Sequence, residues 1–152
     1  MLVYRIGKAK HATNLTGEGA RLNGGRWNQK QTPCIYTSES RALALLEYSV
    51  NINIADIPRS LSITTFEVPE SHILRLTIED LPSDWKDSPA PTSTKDFGTE
   101  LLLSGAHPVI KIPSAVLPEE FNYLLNPRHK DSKGFRVVDV AHFVYDVRTK
   151  GN

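Results

Sequence analysis

Between Arg41 and Asp56 the only charged residue is Glu47, in the run Ala42-Leu43-Ala44-Leu45-Leu46-Glu47-Tyr48-Ser49-Val50. At helical spacing Leu43 lies one turn before it and Val50 nearly one turn after, so Glu47 projects from an apolar face. An ionised carboxylate in such surroundings is costly unless a cation or several donors meet it. Two roles are open on this pattern alone. One is a structural ion pair or an edge position that reaches water. The other is a carboxylate held for chemistry, because perturbed acids mark both situations.

The second conspicuous stretch is Gly24-Gly25-Arg26-Trp27-Asn28. Glycines cluster where the chain needs an unusual turn or the close approach of another group. Arg26 offers five donors in a planar fork that suits a phosphate or a carboxylate, and its loop leads into the strand before the Glu47 helix. It is therefore either an anion ligand or the salt-bridge partner of Glu47. Trp27 reads as packing rather than as a stacking platform. Arg5, on the first strand, is a second candidate anion ligand. Ser114, beside Pro113, reads as a turn or cap residue. The adjacent Glu119 and Glu120 diverge on any regular element and make a poor acid–base pair.

Several familiar schemes are absent. Gly17-Glu18-Gly19 lacks the third glycine of a dinucleotide fingerprint, and there is neither a P-loop nor a nucleophile elbow. The five histidines and Cys34 show no metal-ligand spacing, so no metal is expected.

The elements that must position these residues follow from periodicity and punctuation. Strands are expected at Leu2 to Ile6, Cys34 to Thr37, Leu61 to Val68, His72 to Thr77 and Pro108 to Ile112, with two more at Phe135 to Val138 and Phe143 to Tyr145. A helix from Glu39 to about Val50 is expected with Ser38 as its cap. A second helix, capped by Ser93 or Thr94, is expected to run through Leu103 and end at Gly105. Lys8 to Gln31 shows no regular period, Lys86 to Thr94 reads as a surface loop, and Phe121 to Leu125 as a turn of helix. Strands outnumber helices without alternating with them, which favours an α+β fold with small mixed or antiparallel sheets over a doubly wound one.

The chain has 152 residues, enough for one domain over 1–152 with a real core. Eighteen basic side chains stand against seventeen acidic ones, which removes the strongest reason to expect a nucleic-acid binder. The single cysteine excludes an internal disulfide framework and fits a reducing compartment. No apolar run approaches the roughly 20 residues of a membrane span. The amino terminus lacks the pattern of a signal peptide, so a cytoplasmic protein is expected.

Taken together, several segments resemble the RES domain, named for arginine, glutamate and serine. They are Leu2 to Arg5, Gly17 to Asn28, Ile35 to Ser40, Ala42 to Glu47, Ile112 to Val116 and Asn122 to Pro127. Their order and spacing cover nearly the whole chain. Two departures are local: Gln29-Lys30-Gln31-Thr32 has no glycine where relatives often have one, and Arg128-His129-Lys130-Asp131 replaces the usual His-Pro-Asp.

The resemblance implies an ADP-ribosyltransferase-like fold and a toxin of a bacterial toxin–antitoxin pair. It implies NAD+ as substrate, with no cofactor, and hydrolysis, phosphorolysis or ADP-ribose transfer to a protein as the reaction. It also implies an Xre-type helix-turn-helix antitoxin covering the active site, without direct nucleic-acid binding. The family's catalytic residues then fall on Glu47, Arg26 and Ser114. Substrate contacts fall on Arg5, Tyr36, Trp27, Asn28, Thr37 and Asn122. In this reading Glu47 stabilises positive charge on the ribose, the two arginines hold phosphates, and the Tyr36 ring faces nicotinamide. Ser114 meets the carboxamide, a ribose or a phosphate, and the two glycines let the backbone approach the nucleotide while Arg26 turns inward. An RNA-directed toxin and a non-catalytic binding module with a structural Arg26–Glu47 pair are the competing readings.

Overall fold

The computed structural model describes residues 1–151. Seven strands form one sheet in the order β4-β5-β6-β2-β1-β3-β7. They are β1 (Leu2–Lys8), β2 (Ile35–Ser38), β3 (Leu61–Glu67), β4 (Ile73–Arg75), β5 (Val109–Pro113), β6 (Phe121–Leu125) and β7 (Arg136–Phe143). All neighbouring pairs are antiparallel except β4–β5, so the sheet is mixed and the fold class is α+β, as expected. Among the described residues three α-helices accompany it: α1 (Glu18–Asn23), α2 (Arg41–Val50) and α3 (Thr92–Ser104).

The sheet is apolar on both faces, because its alternating side chains meet different cover on each side. On one face Val3, Ile35, Phe66, Tyr123 and Leu125 pack with Phe135 and Leu15 from loops. On the other, Ile110, Ile112 and Leu124 meet Leu102 of α3 together with Trp27 and Trp85. Two-sided burial explains one misreading. Phe121 to Leu125 is not a helical turn but β6, whose five residues carry apolar groups to both faces and so lack a clean alternation. The strands expected at Phe135 to Val138 and Phe143 to Tyr145 are one strand, β7, with an irregularity in its pairing opposite Thr65 and Phe66.

Capping also differs from expectation. The first cap is Ser40, whose hydroxyl accepts from the Leu43 N–H at 3.0 Å, and α2 starts at Arg41. The helix α3 begins after Pro91 with no side-chain cap. Ser93 instead donates to Asp84 and Thr94 to the Pro91 carbonyl. Gly105, at φ 64°, closes that helix as expected.

One seam in the sheet matters most for function. The strand β1 pairs with β3 over seven residues, but with β2 at a single position, Tyr4 opposite Ser38. From that point β1 and β2 diverge, and a cleft of about 810 Å³ opens along the gap, lined by Tyr4, Arg5 and Ile6 on one side and Tyr36, Thr37 and Ser38 on the other.

The loop that closes one end of the cleft is fixed from behind by α3. A Cβ built on Gly98 would sit 2.0 Å from the Trp27 carbonyl oxygen, so only glycine lets the helix touch this loop backbone. Gly98→Ala should therefore cost about 1–3 kcal/mol through overpacking. A lowered urea midpoint for a protein that still purifies folded is the expected observation.

Candidate active site

Glu47 stands on α2 with its carboxylate at the cleft. Its Oε1 accepts two hydrogen bonds, from the Ser114 hydroxyl at 2.7 Å and from the Asn122 amide at 2.6 Å. Each donor is itself fixed. Ser114 is fully buried, and its oxygen also accepts from the N–H groups of Val116 and Leu117, both at 3.1 Å. Asn122, on β6, accepts through Oδ1 from the Ser38 hydroxyl at 2.7 Å, which turns its NH2 towards Glu47. Among the described residues the second carboxylate oxygen, Oε2, has no partner. The carboxylate is thus held by neutral donors on one oxygen, keeps its charge uncancelled, and has the other oxygen free.

Arg26 does not pair with Glu47. Its Nη1 donates to the backbone carbonyls of Trp85 at 2.9 Å and Asp87 at 2.7 Å, across a loop that also lines the cleft. Among the described residues its Nε and Nη2 make no hydrogen bond. Arg5 is more deeply built in. Its Nη2 reaches the carbonyls of His11, Ala12 and Asn14 at 3.0–3.4 Å, and its guanidinium lies 4.9 Å from the centroid of the Phe66 ring. Burial pushes its pKa down from the ordinary arginine value. It still contributes to the cleft wall.

The glycine-rich stretch is held in shape by contacts within the protein. The Trp27 N–H donates to the Tyr36 hydroxyl at 3.0 Å, and that hydroxyl donates to Asn28 Oδ1 at 2.6 Å. A Cβ on Gly25 would lie 2.6 Å from the same hydroxyl, and Gly24 sits at φ 70° after the short helix α1. Asn28 is fully buried, with its NH2 donating to the carbonyls of Ala20, Gln29 and Thr32. It fixes the loop from beneath and does not reach the cleft. Burial, chiefly, pushes the Tyr36 phenol well above its usual pKa. Tyr36 therefore offers the cleft a ring and not a proton.

The expected residues thus fall into two groups. Glu47, Arg26, Arg5, Tyr36, Thr37, Trp27 and Asn122 all line the cleft. Trp27 is nevertheless 3% exposed and packs edge-on against Phe97, so it is mainly core. Thr37 ties its hydroxyl to the Tyr123 carbonyl at 2.8 Å. Ser114 and Asn28 stand behind the surface. The expected contact of Ser114 with carboxamide, ribose or phosphate is replaced by its bond to Glu47, since a fully buried hydroxyl has no access to a ligand. Sequence reasoning missed Ser38 as an orienting group because it reads as a helix cap. It also missed Tyr48, which lines the cleft with its hydroxyl buried and without a partner among the described residues. No group of three or more His, Cys, Asp or Glu able to hold a metal occurs among the described residues.

Comparison with known proteins agrees with this architecture. The family model described as the RES domain matches residues 2–147. A protein named Toxin Res from Yersinia enterocolitica is 38% identical over 152 residues, covering 99% of this chain and 100% of that one. A protein named Prs ADP-ribosylating toxin from a Sphingobium species is 35% identical over 140 residues, covering 90% of this chain and 87% of that one. The crystal structure of the M. tuberculosis MbcT–MbcA toxin–antitoxin complex contains a chain similar in fold, with TM-score 0.77 and 20% identity, covering 94% of this chain and 84% of that one.

The buried hydroxyl of Ser114 serves one acceptor and two backbone donors at once. Ser114→Ala should therefore lower stability by about 1–3 kcal/mol, by leaving the Val116 and Leu117 N–H groups short of a partner. Equilibrium urea unfolding measures this directly, and an unchanged midpoint would show that these groups find other partners.

Proposed function

The chain belongs to the RES domain family, and on that premise we propose that it is the toxin of a bacterial toxin–antitoxin pair that consumes NAD+ by breaking the nicotinamide–ribose bond. The observation that carries this reading is the state of Glu47: one oxygen fixed by neutral donors, the other free, at the wall of a cleft large enough for a nucleotide. Breaking that bond builds positive charge on the ribose, in an oxocarbenium-like transition state. A preoriented carboxylate at Oε2 favours that charge over the ground state. Nicotinamide leaves as a neutral base, so no strong general acid is needed. This agrees with Glu47 being the only carboxylate along the cleft among the described residues.

The remaining roles follow from the free atoms. Arg26, through Nε and Nη2, and Arg5 supply positive charge for the phosphates. The ring of Tyr36 provides a face for nicotinamide, worth about 0.5–1.5 kcal/mol beyond area burial. Thr37 and Trp27 shape the wall. Ser114, Asn122 and Ser38 act through Glu47 as positioning residues.

The partner is an antitoxin, of the Xre helix-turn-helix type, covering the cleft. The exposed Val50 and Val116 give its rim an apolar character that suits such a cover. The site works as one RES domain over 1–152, in the cytoplasm. No helix among the described residues is long and apolar enough to cross a membrane.

A second reading, mono-ADP-ribosyl transfer to a protein, is favoured by the relative named as an ADP-ribosylating toxin. The non-catalytic reading required an Arg26–Glu47 pair, and among the described residues none forms. The near balance of charges argues against RNA as target.

The test is chromatography of NAD+ and nicotinamide with purified protein, with and without phosphate. Glu47→Gln should reduce nicotinamide release on the order of 10²–10³-fold with an unchanged melting temperature. The co-product names the acceptor: ADP-ribose for water, its phosphorylated form for phosphate, a mass increase on a protein for transfer. Full release by Glu47→Gln would overturn the assignment.

A further inference from the structure

The loop before α3 reaches the cleft through Ser88, Pro89 and Ala90. Its tip, Asp87 to Pro89, is exposed, whereas Trp85 at its base is buried. Within the tip the Asp87 N–H turns back to Asp84, three residues away. Among the described residues the only hydrogen bonds that tie positions 85–90 to a distant part of the chain come from Arg26, through Nη1 to the Trp85 and Asp87 carbonyls. Both acceptors are backbone carbonyls, and both bonds are charge-assisted.

We propose that residues 86–90 are a flap that contacts the substrate, and that Arg26 couples its closure to substrate binding. One nitrogen of the guanidinium holds the flap, and the remaining Nε–H and Nη2–H donors face no protein acceptor. An anionic group bound by those donors sets the side chain in place and with it the two carbonyls. The flap then stands as a wall of the occupied cleft. A lysine cannot do this, because a single ammonium lacks the planar fork that reaches two carbonyls and an anion together. The ligand half of this inference rests on the proposed NAD+ reading. The tether half does not.

Lys86 provides the readout, because trypsin cleaves after lysine and an exposed tip is cut only when the flap opens from the body. Cleavage between Lys86 and Asp87 gives fragments 1–86 and 87–152, identified by mass. Arg26→Gln should accelerate this cut at least about tenfold relative to the other tryptic sites, since cleavage follows the population of the open form. Arg26→Lys serves as a second variant that keeps the charge.

In Glu47→Gln, used to prevent turnover, NAD+ should slow the same cut, and should fail to do so when Arg26→Gln is added. An unchanged rate of cutting in folded Arg26→Gln and Arg26→Lys would overturn the tether. If calorimetry shows NAD+ binding to Glu47→Gln without protecting Lys86, the coupling is overturned. Absence of NAD+ binding with an accelerated cut in Arg26→Gln would remove the NAD+ reading and leave the tether standing. The protection measured in Glu47→Gln alone requires no change at Arg26, so its absence overturns the coupling even if both variants at that position misfold.

Discussion

Everything at this site depends on how a carboxylate is held at the cleft wall without a cation beside it. An arginine partner would have solved the desolvation problem by cancelling the charge, and would have removed the group from chemistry. The chain uses neutral donors instead, a hydroxyl and an amide, both on the same oxygen. Those donors come from the segment after β5 and from β6, while Glu47 comes from α2, so three parts of the chain must be in register before the carboxylate is held. Ser38 on β2 adds a fourth by fixing which end of the Asn122 amide faces inward. The core packing beneath β5 and β6 is what gives these polar bonds their precision.

The glycine-rich loop shows the same economy from the other side. Its Gly25 packs against the Tyr36 hydroxyl, and from behind Gly98 of α3 lets that helix reach the Trp27 carbonyl, so protein contacts set the backbone on both sides. The Tyr36–Asn28 bond, with three carbonyls gathered by the Asn28 amide, ties down a loop that has no regular strand pairing. That firmness is what allows Arg26 to leave the loop in a fixed direction.

Much of this was legible in the sequence. The solitary Glu47 on an apolar helical face was visible from spacing, and most of the strands from β-branched runs. The donor that meets Glu47 was not visible, because Ser114 and Asn122 lie 67 and 75 residues away from it and are joined to it only by the sheet. Ser38 misled for a physical reason. A serine before a helix is a good cap, and here Ser40 takes that duty and leaves Ser38 to the site. The strand β6 was hidden because burial on both faces erases alternation, and α1 because six residues give no period. The tether of Arg26 was not visible because carbonyl acceptors on a loop 59 and 61 residues away leave no mark in side-chain chemistry.

The single rung between Tyr4 and Ser38 divides the sheet into two leaves, β4-β5-β6-β2 and β1-β3-β7. Glu47 is bonded to the first leaf and Arg5 is carried by the second. Backbone pairing across this seam is one residue wide, and what keeps the leaves together is side-chain packing: Val3 and Phe66 of one meet Ile35, Tyr123 and Leu125 of the other. The distance between the two opposite charges is therefore set by the fit of an apolar core, not by the sheet's own hydrogen bonds.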